Sequence, residues 1–232
     1  MPFAHIHTVF PLSNHLDPPS HPLIMKLMYF GDFRGRAEPI RLALHGGNVA
    51  FTDERFPQSE WPTIKPTTPR GAVPTLTLDD GTVLTESLAL LRYAGKIGTP
   101  VLYPADPTTA AKVDEAVDIL ASITNAIAAT LPLPEKEQAT KRASLIAEGG
   151  EVAKALAWVD AAAAANGGGF LVGEGLTIAD CMLKGPIQWI LSGVLDGVPK
   201  TVLDLYPSIL KVFAHVSEVP QIKKYETQQY SS

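Results

Sequence analysis

From Lys26 onward, apolar and polar positions alternate in short runs and then give way to long stretches with helical spacing. "KLMYF" reads as a strand and "AEPIRLALHGG" as a helix, with Pro39 in its first turn and Gly46 and Gly47 at its end. "AFTDERF" alternates again and reads as a second strand, after which the pattern turns irregular. "AVPTLTL" and "TVLTE" are two more β runs joined by "DDG", a strong hairpin signal. "SLALLRYAGKIG" then places Leu88, Leu91 and Ala94 or Gly95 at helical spacing and closes on Gly98.

This order predicts a thioredoxin-like α/β domain (βαβαββα) over residues 25 to 100, a usual size for a small domain. A linker follows at residues 101 to 108, within the proline-containing run "TPVLYPADPTT". Beyond it, β signals nearly vanish. Residues 108 to 131 and 135 to 166 are rich in Ala, Leu and Ile, with Val113, Val117 and Leu120 at helical spacing. "GGGFLVGEG" interrupts the pattern, and "LTIADCML" restarts it with Thr177 and Asp180 three apart. That spacing is a capping box, which explains Asp180 without giving it a catalytic role. The fold class is therefore α/β plus all-α, with residues 109 to 232 all helical.

Composition narrows the function classes. A chain of 232 residues, 46% hydrophobic, can bury a sizeable core. A net charge of −5, with Lys and Arg scattered, leaves no basic field for nucleic acid. No run is long enough to span a membrane. The single cysteine, Cys181, allows no internal disulfide, CxxC pair or thiolate zinc cluster, which fits a reducing compartment, most simply the cytosol.

Residues 1 to 24 stand apart, with no Lys or Arg, five prolines and four of the six histidines. They lack a consistent period and are expected to form a flexible extension, with Met25 the expected start of the functional chain. Neither a secretory signal nor a mitochondrial presequence fits this composition. The "HIH" triplet supplies two imidazoles where a metal site needs three or four ligands, so no metal is expected.

Taken in order, "YF…RGRAEPIR", "WPTIKPTTPRGAVP", "VLTESLALLRYAG" and "LVGEGLTIADCM" resemble a cytosolic glutathione transferase, nearest to the sigma class and its tyrosine-type relatives. The resemblance covers residues 25 to about 225. It implies glutathione as co-substrate on the thioredoxin-like domain, a hydrophobic electrophile between the domains, and a homodimer. At pH 7 only about 3% of a thiol with pKa near 8.5 is thiolate, so such an enzyme must stabilise the anion. Tyr29 matches the family's catalytic tyrosine, whose hydroxyl donates a hydrogen bond to the sulfur. Arg36 matches the arginine that points toward that hydroxyl. The loop "FGDF" is one residue longer than in the sigma pattern, so Arg34 is the alternative.

Glutathione-binding residues follow from the same match. The family's proline at Pro74 is cis and turns the backbone of Val73 toward the cysteinyl unit of glutathione, like an added strand. Ser87, where a helix begins, offers an anion site for the γ-glutamyl carboxylate and doubles as an N-cap. Glu86 stands ready for the γ-glutamyl ammonium. Trp61 and Lys65 match residues at the glycyl end, Lys65 as a point charge on its carboxylate. Phe30, Phe33, Ile123 and Ile127 are the candidates for the hydrophobic-substrate pocket.

The chain also departs from the pattern. Ala72 replaces the usual Gln or Lys and removes a side-chain contact to glutathione. Arg70 replaces an aromatic residue that sometimes docks into a partner subunit. Ala121 and Ser122 stand where sigma-type helices carry further acids, so a cross-subunit carboxylate and an interfacial metal site are not expected. "ITNAIAAT" is small where prostaglandin-isomerising members place a large aromatic residue. Cys181 is not at the position of a thiol-type nucleophile. Two alternatives stay open: a glutathione-dependent isomerase or peroxidase on the same site, and a family member that keeps the fold without activity.

Overall fold

The computed structural model describes residues 25 to 230. The expected extension over residues 1 to 24, with its "HIH" triplet, lies outside the described residues. Strand β1 (Lys26–Phe30) buries Leu27 and Tyr29 on one face, as its alternation predicts. It forms the inner part of a four-stranded mixed sheet with order β2-β1-β3-β4. Strand β2 (Thr52–Phe56) pairs parallel to β1 with Tyr29 opposite Arg55. Strand β3 (Thr75–Thr77) pairs antiparallel to β1, and β4 (Val83–Leu84) antiparallel to β3.

A parallel pair needs a crossover, and helix α1 (Glu38–Gly46) supplies it. Pro39 lies in its first turn, where no backbone N–H is missed. Almost every residue of α1 is buried, because the sheet lies on one side while helices of both halves of the chain pack on the others. The irregular segment holds one short helix, α2 (Trp61–Ile64), between two 3₁₀ turns, with Pro62 and Pro66 limiting any longer helix. Helix α3 (Ser87–Ile97) ends at Gly98 as read. Its N-cap is Glu86 rather than Ser87, and no side chain caps it. Ser87 is the first helical residue, so its hydroxyl is not committed to capping.

The second half is helical. Helix α4 (Pro107–Ala128) starts at Asp106, whose side chain accepts a bond from the Thr109 N–H at 2.8 Å. The periodic stretch from 135 to 166 is two helices, α5 (Glu135–Ile146) and α6 (Glu151–Ala165), because the chain turns at Gly149 with φ +77°. Helix α7 (Ile178–Ser192) opens on the expected capping box of Thr177 and Asp180. A 3₁₀ turn, α8 (Pro207–Ser217) and α9 (Pro220–Tyr230) complete the domain. The architecture is a thioredoxin-like domain followed by an all-helical one, with α1 and α3 packed on α7 across the boundary.

Asp180 does more than cap. Its carboxylate accepts from the Thr177 N–H (2.8 Å), the Thr177 hydroxyl (2.9 Å) and the Leu171 N–H (2.7 Å), tying the preceding loop to α7. Burial pushes its pKa up to about 6 against the pull of these bonds. Cys181 beside it is fully buried, and burial raises its thiol well above the usual range, which keeps it inert.

Candidate active site

Tyr29 is the penultimate residue of β1 and is 5% exposed. The backbone N–H of Arg36 donates to its hydroxyl at 3.1 Å. That contact depends on the turn between strand and helix. Gly35 has φ +52°, and a Cβ there would collide with the Tyr29 hydroxyl and ring, so only glycine lets the chain pass so close. It is the backbone N–H of Arg36 that meets the tyrosine, and the Arg34 guanidinium lies 3.8 Å from Glu226 of α9. Burial raises the Tyr29 pKa above 10; the Arg36 N–H and the charges of Arg36 and Arg41 oppose the shift. At neutral pH the hydroxyl thus keeps its proton and can donate it in a hydrogen bond.

Arg41 is a residue whose role the sequence reading missed. It is fully buried, with its guanidinium carbon 5.9 Å from the Tyr29 ring centroid. Its Nε donates to both oxygens of Asp53 at 3.0 Å, and its Nη1 to the Arg34 carbonyl at 3.3 Å and to Glu38 at 3.4 Å. One buried cation therefore holds the Arg34–Arg36 turn and lies near the tyrosine ring, balanced by two carboxylates. The signal was present: an i,i+3 acid–base pair, Glu38 and Arg41, in an otherwise apolar helix.

Next to Arg36 a cavity of about 230 Å³ is lined by Ala72, Val73, Pro74, Glu86 and Ser87, together with Arg70 and Thr85. Five of the predicted site residues thus converge there. The Val73–Pro74 bond is cis, as the resemblance implies. Neither the N–H nor the carbonyl of Val73 bonds to another backbone group among the described residues. Glu86 has φ +71°, a left-handed backbone that non-glycine residues adopt at a cost and mostly where a site requires it. Its carboxylate lies 3.4 Å from the Arg70 guanidinium.

Trp61 and Lys65 do not line this cavity. Trp61 stacks with Phe56 at 6.1 Å and meets Phe30 edge-on at 5.4 Å. Lys65 is exposed on the loop that leads to Arg70, and its stem passes beside Gly71. Thr68 fastens that loop: its hydroxyl donates to the Lys65 carbonyl at 2.9 Å and accepts from the Ala72 N–H at 3.1 Å. Phe30 and Phe33 group with Tyr29, Phe33 edge-on to its ring at 6.1 Å and 42% exposed. Ile123 and Ile127 have no exposed surface. They belong to the packed face of α4, which corrects their assignment to an open pocket: on a helix covered by α6 and α7, the most apolar positions face the core. A larger cavity of about 480 Å³ lies against Lys26, Met28 and Thr75, away from the Tyr29 face of β1. No cluster of three or more His, Cys, Asp or Glu side chains suited to a metal occurs among the described residues.

A family model described as glutathione S-transferase, N-terminal domain, matches residues 36–97, and one described as glutathione S-transferase, C-terminal domain, matches residues 122–229. The chain is 31% identical over 207 residues to glutathione S-transferase 1 of Ascaris suum, covering 86% of this chain and 94% of that protein. Among solved structures, prostaglandin synthase D of Nilaparvata lugens superposes with a TM-score of 0.77 at 27% identity, covering 89% of this chain and 99% of that one. A sigma class glutathione S-transferase of Fasciola hepatica gives 0.77 at 25% identity, covering 90% and 98%. With the domain order, the cis proline and relatives of this extent in agreement, the chain belongs to the glutathione S-transferase family and uses glutathione as co-substrate.

Proposed function

We propose that this transferase activates glutathione with Tyr29 and joins its sulfur to hydrophobic electrophiles. The observation that carries the reading is the Tyr29 hydroxyl: its oxygen accepts the Arg36 N–H, and its proton is retained at neutral pH. A neutral hydroxyl held from behind by a donor points its own hydrogen at a thiolate without adding negative charge. In this reading Val73 pairs with the cysteinyl backbone, Ser87 and the α3 N-terminus take the γ-glutamyl carboxylate, Glu86 takes the ammonium, and Trp61 and Lys65 meet the glycyl end. Arg36 supports the anion electrostatically. The thiolate attacks the electrophilic carbon, the leaving group departs or the acceptor is protonated, and Phe30 and Phe33 offer apolar surface for the second substrate. Residues 25 to 100 hold glutathione, and residues 109 to 232 complete the electrophile site.

The test is a panel of aryl halides, enals, hydroperoxides and prostaglandin endoperoxides, each with and without glutathione. Conjugation of the first two supports the reading. Turnover of endoperoxide or hydroperoxide alone favours the isomerase or peroxidase alternative, which the likeness to the Nilaparvata lugens synthase keeps in view. No turnover with any electrophile favours a family member without activity. The chain is further proposed to work as a cytosolic homodimer; no helix among the described residues is long and apolar enough to cross a membrane. Sedimentation equilibrium at micromolar concentration tests the dimer, and a monomer's mass there would overturn it.

A further inference from the structure

We infer that Arg70 is a glutathione-selecting residue of this protein, binding the γ-glutamyl carboxylate by exchanging its ion pair with Glu86 for one with the ligand. The inference rests on the glutathione reading of the cavity and adds to it a partner that the resemblance does not assign. Arg70 and Glu86 line the same cavity of about 230 Å³ and face each other at 3.4 Å. A γ-glutamyl group brings one ammonium and one carboxylate on the same carbon. Inserted between the two side chains, it gives Glu86 a cation and Arg70 an anion, so every charge is paired before and after binding.

The exchange is easy in both directions. Both side chains of the pair are about two-thirds exposed (65% and 64%), so the free protein loses little when they separate. The guanidinium then offers a planar fork that matches a carboxylate with two parallel bonds. Its position is built rather than accidental: Thr68, 7% exposed, bonds to the Lys65 carbonyl and the Ala72 N–H and so fixes both ends of the loop that carries Arg70. Ala72 adds no polar side chain at this edge. Glu86 is held at φ +71° next to the first helical residue, Ser87, so the carboxylate of the ligand would also meet free N–H groups of α3.

The experiment compares KM for glutathione with KM for γ-aminobutyryl-cysteinyl-glycine, which lacks the γ-glutamyl α-carboxylate, in the parent, Arg70→Gln and Ser87→Ala. In the parent, glutathione is expected to have about a tenfold lower KM than the analogue, the size of one charge-assisted contact at a partly exposed site. In Arg70→Gln the advantage should shrink to about twofold through a rise in the glutathione KM alone, and the salt dependence of that KM should weaken. If Arg70→Gln raises both KM values equally, Arg70 only shapes the loop and the inference fails. If the parent discriminates and Arg70→Gln discriminates as well, Arg36 and the α3 N–H groups take the carboxylate, and the inference fails while the glutathione reading stands. If the parent does not discriminate and Ser87→Ala changes neither KM, the γ-glutamyl end lies elsewhere and both fail.

Discussion

Tyr29 combines near-complete burial with a hydroxyl whose only oxygen is approached by a backbone donor, and both conditions arise from the turn at Gly35. Two substitutions separate its roles. Tyr29→Phe keeps the ring contacts with Phe30 and Phe33 and leaves the proposed binding groups at Ser87 and Lys65 in place, so glutathione affinity should stay close to the parent's. The bound thiol should titrate higher. Loss of a two-unit pKa shift leaves roughly 25-fold less thiolate at pH 7, so turnover at saturating glutathione should fall by about that factor and recover toward pH 9. An unchanged rate and pH profile would remove Tyr29 from catalysis. Gly35→Ala strikes the same hydroxyl from the backbone side, since both a positive φ and the tyrosine oppose a Cβ. We expect a loss of about 1–2 kcal/mol in stability together with reduced turnover, read by urea unfolding and steady-state rates. The tyrosine itself has a pH signature. Its folded pKa is raised, so its stability contribution is complete below pH 10 and is lost as pH rises through the folded value; phenolate absorbance should therefore lag behind that of a free tyrosine.

Among the elements, α7 carries the clearest internal test. The box of Thr177 and Asp180 was legible from a spacing of three, because capping is decided by neighbours in sequence. The third bond, from Leu171, was not legible, since a nine-residue loop brings that N–H back to the carboxylate. Asp180→Asn leaves donors from both segments short of an acceptor and should lower stability by about 1–3 kcal/mol at pH 4. Asp180 has its folded pKa raised to about 6 from an ordinary 3.8, so its contribution is complete below about pH 4 and is lost as pH rises through 6. The deficit of the Asn variant should accordingly narrow between pH 4 and 6, measured by denaturation at each pH; a constant deficit would contradict the raised value. The same contrast explains the split of residues 135 to 166. Helix-forming residues continue through most of the stretch, but Gly149 and Gly150 set the chain at a new angle, and composition does not report angles.

At the scale of the whole molecule, α9 ties the two domains together. Tyr225 stacks on His45 of α1 at 4.4 Å, its hydroxyl donates to Glu38 at 3.1 Å, and it accepts from Arg55 at 3.3 Å. One turn of this helix thus reaches the buried charge network around Arg41. Glu226 beside it pairs with Lys184 at 3.0 Å and lies 3.8 Å from Arg34. Tyr225→Ala removes a ring that is 2% exposed and should cost about 3–5 kcal/mol. Glu226→Gln should cost about 2–4 kcal/mol, because Lys184 is 3% exposed at its side chain and would lose its countercharge. Burial already lowers the Lys184 pKa, so the Gln variant should gain stability relative to the parent as pH rises toward 10 and the lysine deprotonates. Chemical denaturation across pH 7 to 10 checks both.

The sequence by itself determined the elements of the thioredoxin-like domain, their order and the helical character of the rest, since strand alternation, the hairpin turn and glycine stops depend on residues a few positions apart. It also determined the family, and it named Arg36, Val73, Pro74, Glu86 and Ser87, which meet in one cavity, because those residues travel in local motifs. The tertiary structure decided what each side chain faces. Ile123 and Ile127 have the composition of a substrate pocket but lie on the covered side of α4. Arg41 looks like one more helix-surface arginine until the sheet and α9 enclose it with Asp53, Glu38 and Tyr225. Arg70 meets Glu86 from sixteen positions away only because the loop and the helix start converge. Burial and charge pairing depend on residues distant in the chain, so no local pattern could fix them.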